Sequence, residues 1–197
     1  AGTTFVLDGG SFSCTGNNGV QAAYLGDLVM NAGTASFGGS LSNNVSLLSG
    51  ATVSLNGGTL TVQSLNGNAS NSVDFNGGTL QSIYSSGAFI NPAIVTTVQA
   101  GGAVIDTNGY NDTIAGVLVH DAALGAALDG GLTKNGAGTL TLTANNTFNG
   151  GTGVNGGVLQ LNAGNSNRPA GTGTLTINSG GTVTAPTGTG GTAHNQF

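Results

Sequence analysis

The chain has 197 residues, of which 38% are hydrophobic and 38 are glycine, a composition that suits one elongated domain with many turns rather than a globule of several layers. Only 5% of the residues are charged, and two basic against seven acidic side chains give a formal net charge of −5. Because Lys134 and Arg168 are the only lysine and arginine in the sequence, there is no basic surface, which argues against binding to nucleic acid or to anionic membranes.

The sequence also limits how the fold is stabilised. Cys14 is the single cysteine, so no intrachain disulfide forms, and we interpret it as a small buried hydrophobic residue rather than a reactive thiol. No segment approaches the roughly 18 apolar residues that cross a membrane, so we expect no membrane insertion. The chain begins at Ala1 without an initiator methionine, a start that suits both a processed secreted protein and a fragment.

The first predicted element is an apolar strand at residues 3–7. A glycine-containing motif follows and then recurs along the chain: an apolar residue and one or two polar residues precede the glycine, and an alternating strand follows. Asn-Gly and Gly-Gly pairs permit positive φ at little steric cost, so each copy predicts a sharp corner between two short strands. The predicted corner residues are Gly9, Gly10, Gly57, Gly58, Gly77, Gly78, Gly101, Gly102, Gly156, Gly157, Gly180 and Gly181.

The spacing of these corners separates two architectures that use short strands, a hairpin meander or sandwich and a solenoid. From Gly57 onward the glycine pairs begin at intervals of 20, 24, 55 and 24 residues, and we interpret 55 as about two periods. One coil of three strands and three corners needs roughly 20 to 25 residues. We therefore predict an all-β fold, a right-handed parallel β-helix (β-solenoid) of about eight or nine coils over residues 1–184.

Residues 105–129 include the densest cluster of ionisable side chains. Within them, residues 117–128 are the best helical candidate, but the alternation at 117–119 and the glycine at 125 favour a strand or a loop. Oxygen ligands for calcium are one interpretation of the cluster. Because the glycine-aspartate nonapeptide of calcium-binding β-rolls is missing, we favour aspartates that bind backbone N–H groups at corners, and we predict no metal or cofactor. The cluster consists of Asp106, Asp112, His120, Asp121 and Asp129.

Residues 132–161 carry the most specific pattern in the chain. Lys134 precedes the sequence NGAG, a TLTLT strand follows at 139–143, and NNTF, GGT and VNGG lead into VLQL at 158–161. This pattern resembles the autotransporter-associated β-strand repeat, also called the passenger-associated transport repeat. The resemblance implies a secreted β-helical passenger, extracellular or on the bacterial cell surface, in which the repeat is associated with folding and transport of the β-helix across the outer membrane. It implies no active site.

Both ends of a solenoid leave unpaired strand edges unless something covers them. The N-terminal strand offers Phe5, Val6 and Leu7, and residues 185–197 form a Gly/Thr-rich tail that ends in Phe197. We expect one or both ends to pair with a neighbouring subunit, by strand addition or by end-to-end stacking into a fibre. The competing interpretation is that these are the ends of a fragment from a longer passenger.

Catalytic chemistry has few candidate residues. There is no glutamate, and the two histidines, His120 and His194, are far apart and form no His-x-x-x-His motif. A β-helical polysaccharide lyase or hydrolase is the enzyme alternative, but such enzymes need basic residues or clustered carboxylates at the sugar. Because we interpret Lys134 and Arg168 as turn residues, we predict that the chain is not an enzyme.

Two binding functions compete with a purely structural one. Threonine-rich strands at 139–143 and 172–176 suit an ice-binding face, although no coil-by-coil Thr-x-Thr ladder is evident. An adhesin needs an exposed patch, for which Tyr24, Tyr84 and Tyr110 are the tyrosines available, unless they cover the edge of the core. We predict a non-catalytic extracellular solenoid, either a subunit of a surface fibre or biofilm filament or the stalk of an adhesin with a host or surface glycan as candidate ligand.

Overall fold

The computed structural model describes residues 3–16, 23–39, 44–162 and 168–185, and their regular elements are β-strands apart from one single-turn 3-10 helix, Ala122–Leu124. No helix in this part of the chain is long and apolar enough to cross a membrane. The strands are Phe5–Gly16 (β1), Ala23–Leu25 (β2), Leu28–Gly39 (β3), Asn44–Leu47 (β4), Thr52–Leu55 (β5), Thr59–Val62 (β6), Ser64–Asn66 (β7), Ser72–Phe75 (β8), Thr79–Ser82 (β9), Ser86–Ile90 (β10), Val95–Val98 (β11), Ala103–Asp106 (β12), Asp112–Ile114 (β13), Leu118–His120 (β14), Leu132–Asn135 (β15), Thr139–Leu142 (β16), Thr152–Val154 (β17), Gly157–Leu161 (β18), Leu175–Ile177 (β19) and Gly181–Thr184 (β20).

The strands stack in parallel on three faces, so the fold class is confirmed as a parallel β-solenoid. The first face contains the first halves of β1 and β3, then β5, β8, β11 and β14. The second contains the later halves of β1 and β3, then β6, β9, β12, β15, β17 and β19. The third contains β2, β4, β7, β10, β13, β16, β18 and β20. The stack makes about seven turns, close to the eight or nine coils predicted.

The core is a set of apolar columns that run along the solenoid axis. Short strands such as β5, β6 and β9 alternate between partly exposed and buried side chains, as the two-residue period of a strand requires. Leu60, Leu80 and Ile105 occupy the same register position in successive coils of the second face, and all three side chains are fully buried. Each coil therefore buries its apolar side chains against the coils before and after it, which is what makes the stack continuous.

Glycines form the corners, but at two different corners of the coil. Each of the six predicted glycine pairs contains one residue with positive φ: Gly10, Gly58, Gly77, Gly102, Gly157 and Gly180. The partner glycine can also be required: a Cβ on Gly57 would collide with the carbonyl oxygen of Asn31 in the coil before. The pairs up to Gly101 lie between the first and second faces, whereas those at 156 and 180 lie between the second and third.

The interval of 55 residues is therefore not two periods of one corner. The pair at 101 lies at the corner between the first and second faces, whereas the pair at 156 lies at the corner between the second and third faces. The interval also includes a long coil, in which the register partners Val104 and Thr133 are 29 residues apart. Between them lie β14 and the 3-10 helix, where the sequence predicts a strand or a loop rather than an α-helix.

The first coil explains why the prediction for Cys14 is wrong. Cys14 is paired in register with Phe37, a core residue of the next coil, yet Cys14 itself is exposed. Among the described residues no earlier coil covers β1, so a position that is buried elsewhere in the stack is open to solvent here.

Candidate functional site

The acidic residues of the segment 105–129 bind backbone amides at corners. Asp129 accepts hydrogen bonds from the backbone N–H groups of Gly131 (2.9 Å), Asn149 (2.9 Å) and Gly150 (2.8 Å), and its Oδ2 lies 2.8 Å from His120 Nδ1. Burial alone would raise the pKa of the Asp129 carboxyl, but these four hydrogen bonds hold it below the ordinary value, and the same pairing raises the pKa of His120.

The other aspartates of the segment have similar roles. Asp106 accepts from the backbone N–H of Asn108, Asp112 accepts from that of Ser86, and Asp121 accepts from that of Ala123 and so caps the 3-10 helix. These bonds are the corner role that the sequence favours. Within the described residues, no three side chains of histidine, cysteine, aspartate or glutamate are grouped so that they could hold a metal ion.

Lys134 differs most from its prediction, because it is a core residue in a strand and not a turn residue. It follows Ile105 and precedes Val154 in a core column of the second face, and its side chain is fully buried. The signal was present in the alternation: Leu132 and Lys134 share one face of β15, so the period that places leucine in the core also places lysine there. Arg168, by contrast, is exposed and begins the turn at 168–171.

The Lys134 ammonium binds the corner between the second and third faces in three successive coils. Its Nζ donates to Thr107 Oγ1 (2.8 Å) in the coil before, to the carbonyls of Asn135 (2.9 Å) and Gly136 (2.8 Å) in its own corner, and to the carbonyl of Gly156 (3.1 Å) in the coil after. Thr107 Oγ1 in turn donates to the carbonyl of Ala137 (2.6 Å). These oxygens replace the water that a buried ammonium loses.

A buried carboxyl accompanies the ammonium. We call Ser82, Thr107, Asp112 and Lys134, all at most 1% exposed, the polar core cluster. Burial lowers the pKa of Lys134 to about 8, although the carboxyls of Asp106 and Asp112 oppose the shift. Burial also raises the pKa of Asp112 to about 6, against the Ser86 amide and the Lys134 charge, and Asp112 Oδ2 has no hydrogen-bond partner among the described residues. Ser82 and Thr107 are unremarkable polar residues in the sequence. Only the stacked coils bring Thr107 to the Lys134 ammonium and Ser82 to Asp112.

Polar side chains form ladders at both corners. At the first corner, Asn31 Nδ2 donates to Asp8 Oδ1 (2.6 Å) and Asn56 Nδ2 donates to Asn31 Oδ1 (2.9 Å). At the second corner, Asn155 Nδ2 donates to Asn135 Oδ1 (2.9 Å) and Asn178 Nδ2 donates to Asn155 Oδ1 (2.6 Å). In each case the donor lies one coil after the acceptor, so these exposed ladders run along the axis in one direction.

A threonine column runs along the second face. Register pairs align Thr34, Thr59, Thr79, Val104, Thr133, Gly153 and Thr176. Val104 and Gly153 interrupt the threonines, and the neighbouring outer column changes from serine and threonine to Gln81, Asp106 and Asn135. The face is therefore not a regular Thr-x-Thr array, and the arrangement gives no support for ice binding.

The residues proposed for subunit contacts lie at the N-terminal coil. Phe5 and Leu7 are partly buried and pack against the core, while Val6 is 49% exposed. Phe5 also contacts Phe12, with ring centroids 5.0 Å apart. Phe197 and His194 lie outside the described residues, as does the tail from residue 186 onward.

The tyrosines are on the surface rather than over the core. Tyr24 on β2 is 73% exposed, and Tyr84 is 48% exposed. Tyr84 and Tyr110 form a ring pair with centroids 5.9 Å apart and an interplanar angle of 44°. The sequence could not join these two, since they are 26 residues apart and only the register of successive coils brings them together.

Comparison with known families gives one match. Residues 132–161 match the model of the passenger-associated transport repeat, which confirms the predicted resemblance at the residues that carry it. The chain matches no curated protein and no solved structure. The matched segment runs from β15 to β18 and contains Lys134 with its corner. The chain therefore carries a passenger-associated transport repeat within a parallel β-solenoid, a combination that fits an autotransporter-associated structural passenger.

Proposed function

We propose that the chain is a non-catalytic structural solenoid outside the cell or on the bacterial surface, where it serves as a fibre subunit or as the stalk of an adhesin. The uninterrupted parallel stack carries this proposal: the second and third faces continue from the first described coil to the last. With about 4.8 Å per coil, seven turns give a rod of about 34 Å along the axis. A rod of this kind can act as a spacer or a building block without catalysing a reaction.

The ionisable side chains support a structural role as well. Asp129 and Lys134 form hydrogen bonds with backbone groups at the corners of their own and neighbouring coils. Asp112 is buried. Groups held in this way stabilise corners and are poorly placed to contact a substrate. Incubation with acidic and neutral polysaccharides, followed by product analysis, tests this part, and release of shorter oligosaccharides would contradict it.

The fibre proposal concerns the two terminal coils. Within the part of the chain that the structure describes, β19 on the second face pairs only with β17, and β1 pairs only with β3. If a second copy continued the register, Ile177 would lie over Phe12 and Asn178 over Ser13, which would extend the core column. Ile177 is 53% exposed, so this contact would bury apolar surface that is now open. Low charge favours it, since the ends repel each other weakly.

The test is sedimentation and electron microscopy of the purified chain across a concentration series. We expect end-to-end oligomers, and Ile177→Lys should reduce them to monomers because it places a charge in the contact. Val95→Lys is the matched control, because Val95 is 50% exposed on the outer side of β11, away from both ends. Monodisperse monomers of the unaltered chain at high concentration would contradict the proposal of a fibre subunit and leave the proposal of an adhesin stalk.

A further inference from the structure

The Tyr84–Tyr110 pair is an exposed aromatic surface on a chain with few aromatic residues, which make up 5% of the sequence. The two tyrosines lie on successive coils, at the corner between the second and third faces, with ring centroids 5.9 Å apart. Tyr84 is 48% exposed and Tyr110 is partly exposed. An exposed pair of this kind presents apolar ring surface, with the two rings tilted by 44°, together with two hydroxyl groups.

Both tyrosines are mounted on a backbone that is held in place. Ser82 Oγ donates to the carbonyl of Tyr84 (3.0 Å). On the next coil, the Tyr110 N–H donates to the carbonyl of Thr107 (2.8 Å) across a tight turn in which Asn108 and Gly109 have φ of 48° and 88°. Thr107 is itself bound by the buried Lys134 ammonium. The aromatic pair therefore needs little ordering when it binds a ligand, which reduces the entropy cost of binding.

The surface beyond Tyr110 is a step without side chains. The register of Asp112 with Leu140 places Gly138 beside Tyr110, and a Cβ on Gly138 would collide with the Tyr110 carbonyl. Gly157 continues the column in the following coil, against the carbonyl of Gly138. The aromatic pair thus borders two positions, Gly138 and Gly157, that carry no side chain and where successive backbones approach closely.

The polar surroundings of the pair are neutral. Ser85, Asn108 and Asn111 are exposed around it. The nearby carboxyl of Asp106 is already bound by Gln81 Nε2 (2.9 Å) and by the Asn108 amide (2.8 Å), and Asp112 is buried. This chemistry suits a ligand with an apolar face and many hydroxyl groups, and it offers nothing to neutralise an ionic one.

We propose that Tyr84, Tyr110 and the glycine step beside them form a binding site for a neutral hexopyranose chain. The C–H face of a sugar ring packs against the tyrosine rings, and its hydroxyl groups exchange hydrogen bonds with the exposed serine and asparagine side chains. The inference rests on the proposed function, because it names the ligand class that the solenoid binds when it acts as an adhesin.

The experiment titrates the chain with three neutral hexasaccharides, of β-linked glucose, β-linked mannose and β-linked galactose, at millimolar concentrations. Tyrosine fluorescence reports binding directly, since the sequence has three tyrosines and no tryptophan, and saturation-transfer NMR identifies the sugar protons in contact. We expect Tyr84→Ala and Tyr110→Ala each to weaken binding at least about ten-fold. Ala137→Glu should do the same without removing a ring, because the exposed Ala137 borders the glycine step.

Tyr24→Ala is the matched control, since Tyr24 is more exposed than Tyr84 but lies on β2 away from the pair, and it should leave binding unchanged. Circular dichroism checks that each variant folds. No binding of any of the three sugars, or undiminished binding in Tyr110→Ala, would overturn the inference. All titrations are repeated in the Ile177→Lys background, where sugar binding should persist after the fibres are lost. Absence of fibres in the unaltered chain with sugar binding intact contradicts only the fibre, and absence of sugar binding in a chain that forms fibres contradicts only this site.

Discussion

The coils at residues 52–82 and the coils at 132–161 share one hydrogen-bond ladder but close their corners differently. In the first region the inner positions of the second face hold Leu60 and Leu80, whereas the equivalent position of the matched repeat holds Lys134. Apolar columns stabilise the stack of coils by burial, which does not depend on the orientation of the contacting groups. The buried Lys134 ammonium is bound to four specific oxygens in three successive coils. The repeat region therefore fixes the register in which these coils stack.

The largest expected difference between the two regions comes from their equivalent core positions. Lys134→Met should lower the free energy of unfolding by about 3–5 kcal/mol, because it leaves the carbonyls of the repeat corner without their donor and the buried Asp112 carboxyl without a nearby positive charge. Leu80→Met, in the same column, should cost less than about 1.5 kcal/mol. Urea unfolding followed by circular dichroism measures both, and hydrogen exchange should localise the Lys134→Met effect to residues 132–161. Equal losses of unfolding free energy in the two variants would mean that the Lys134 ammonium stabilises the fold no more than an apolar side chain at the same position.

A smaller difference is expected between two glycines with similar backbone conformations. Gly50 and Gly138 have φ of 81° and 88°, but a Cβ on Gly50 meets nothing within 4 Å, whereas one on Gly138 collides with the Tyr110 carbonyl. Gly50→Ala should therefore cost about 1 kcal/mol of backbone strain, and Gly138→Ala about two to three times as much. Thermal melting compares them. If the two variants melt alike, the close approach of successive coils at the repeat corner is not limiting.

A further expected effect concerns the dependence of stability on pH. Asp112 has a pKa of about 6 in the folded chain, against 3.8 for an ordinary aspartate, so between these values the folded state binds more protons than the unfolded state. Stability should then fall as pH rises from about 4 to 6. Asp112→Asn removes this group and keeps an acceptor for the Ser86 amide. The melting temperatures of the unaltered chain and of Asp112→Asn, measured from pH 4 to 7, should become equal at the acidic end of this range. A difference that stays constant with pH would contradict the raised pKa of Asp112.

The sequence was sufficient to predict the architecture because glycine and alternation act locally. A Gly-Gly pair such as Gly57 and Gly58 marks a corner wherever it occurs, and the two-residue period marks each strand. What local patterns do not contain is which corner of the coil a given pair occupies. The pairs at 101 and 156 look alike in sequence, and only the register places them on different corners.

The candidate sites were harder to predict for the same reason. Lys134 was interpreted as a turn residue, although its spacing from Leu132 already indicated the core. Thr107 and Tyr110 become informative only when the coils are aligned, since their partners Lys134 and Tyr84 are 27 and 26 residues away. Register in a solenoid depends on the length of every intervening loop, and the long coil between Val104 and Thr133 is not evident from composition.

The asparagine ladders give the rod a chemical polarity. In both ladders each side-chain amide donates toward the N-terminal coil, so the amide dipoles add instead of cancelling. Among the described residues, the second-corner ladder ends with the amide of Asn178, while the first-corner ladder begins with the carboxylate of Asp8. Two rods lying side by side can therefore be distinguished as parallel or antiparallel, and a subunit that joins one tip meets a different chemistry from a subunit that joins the other.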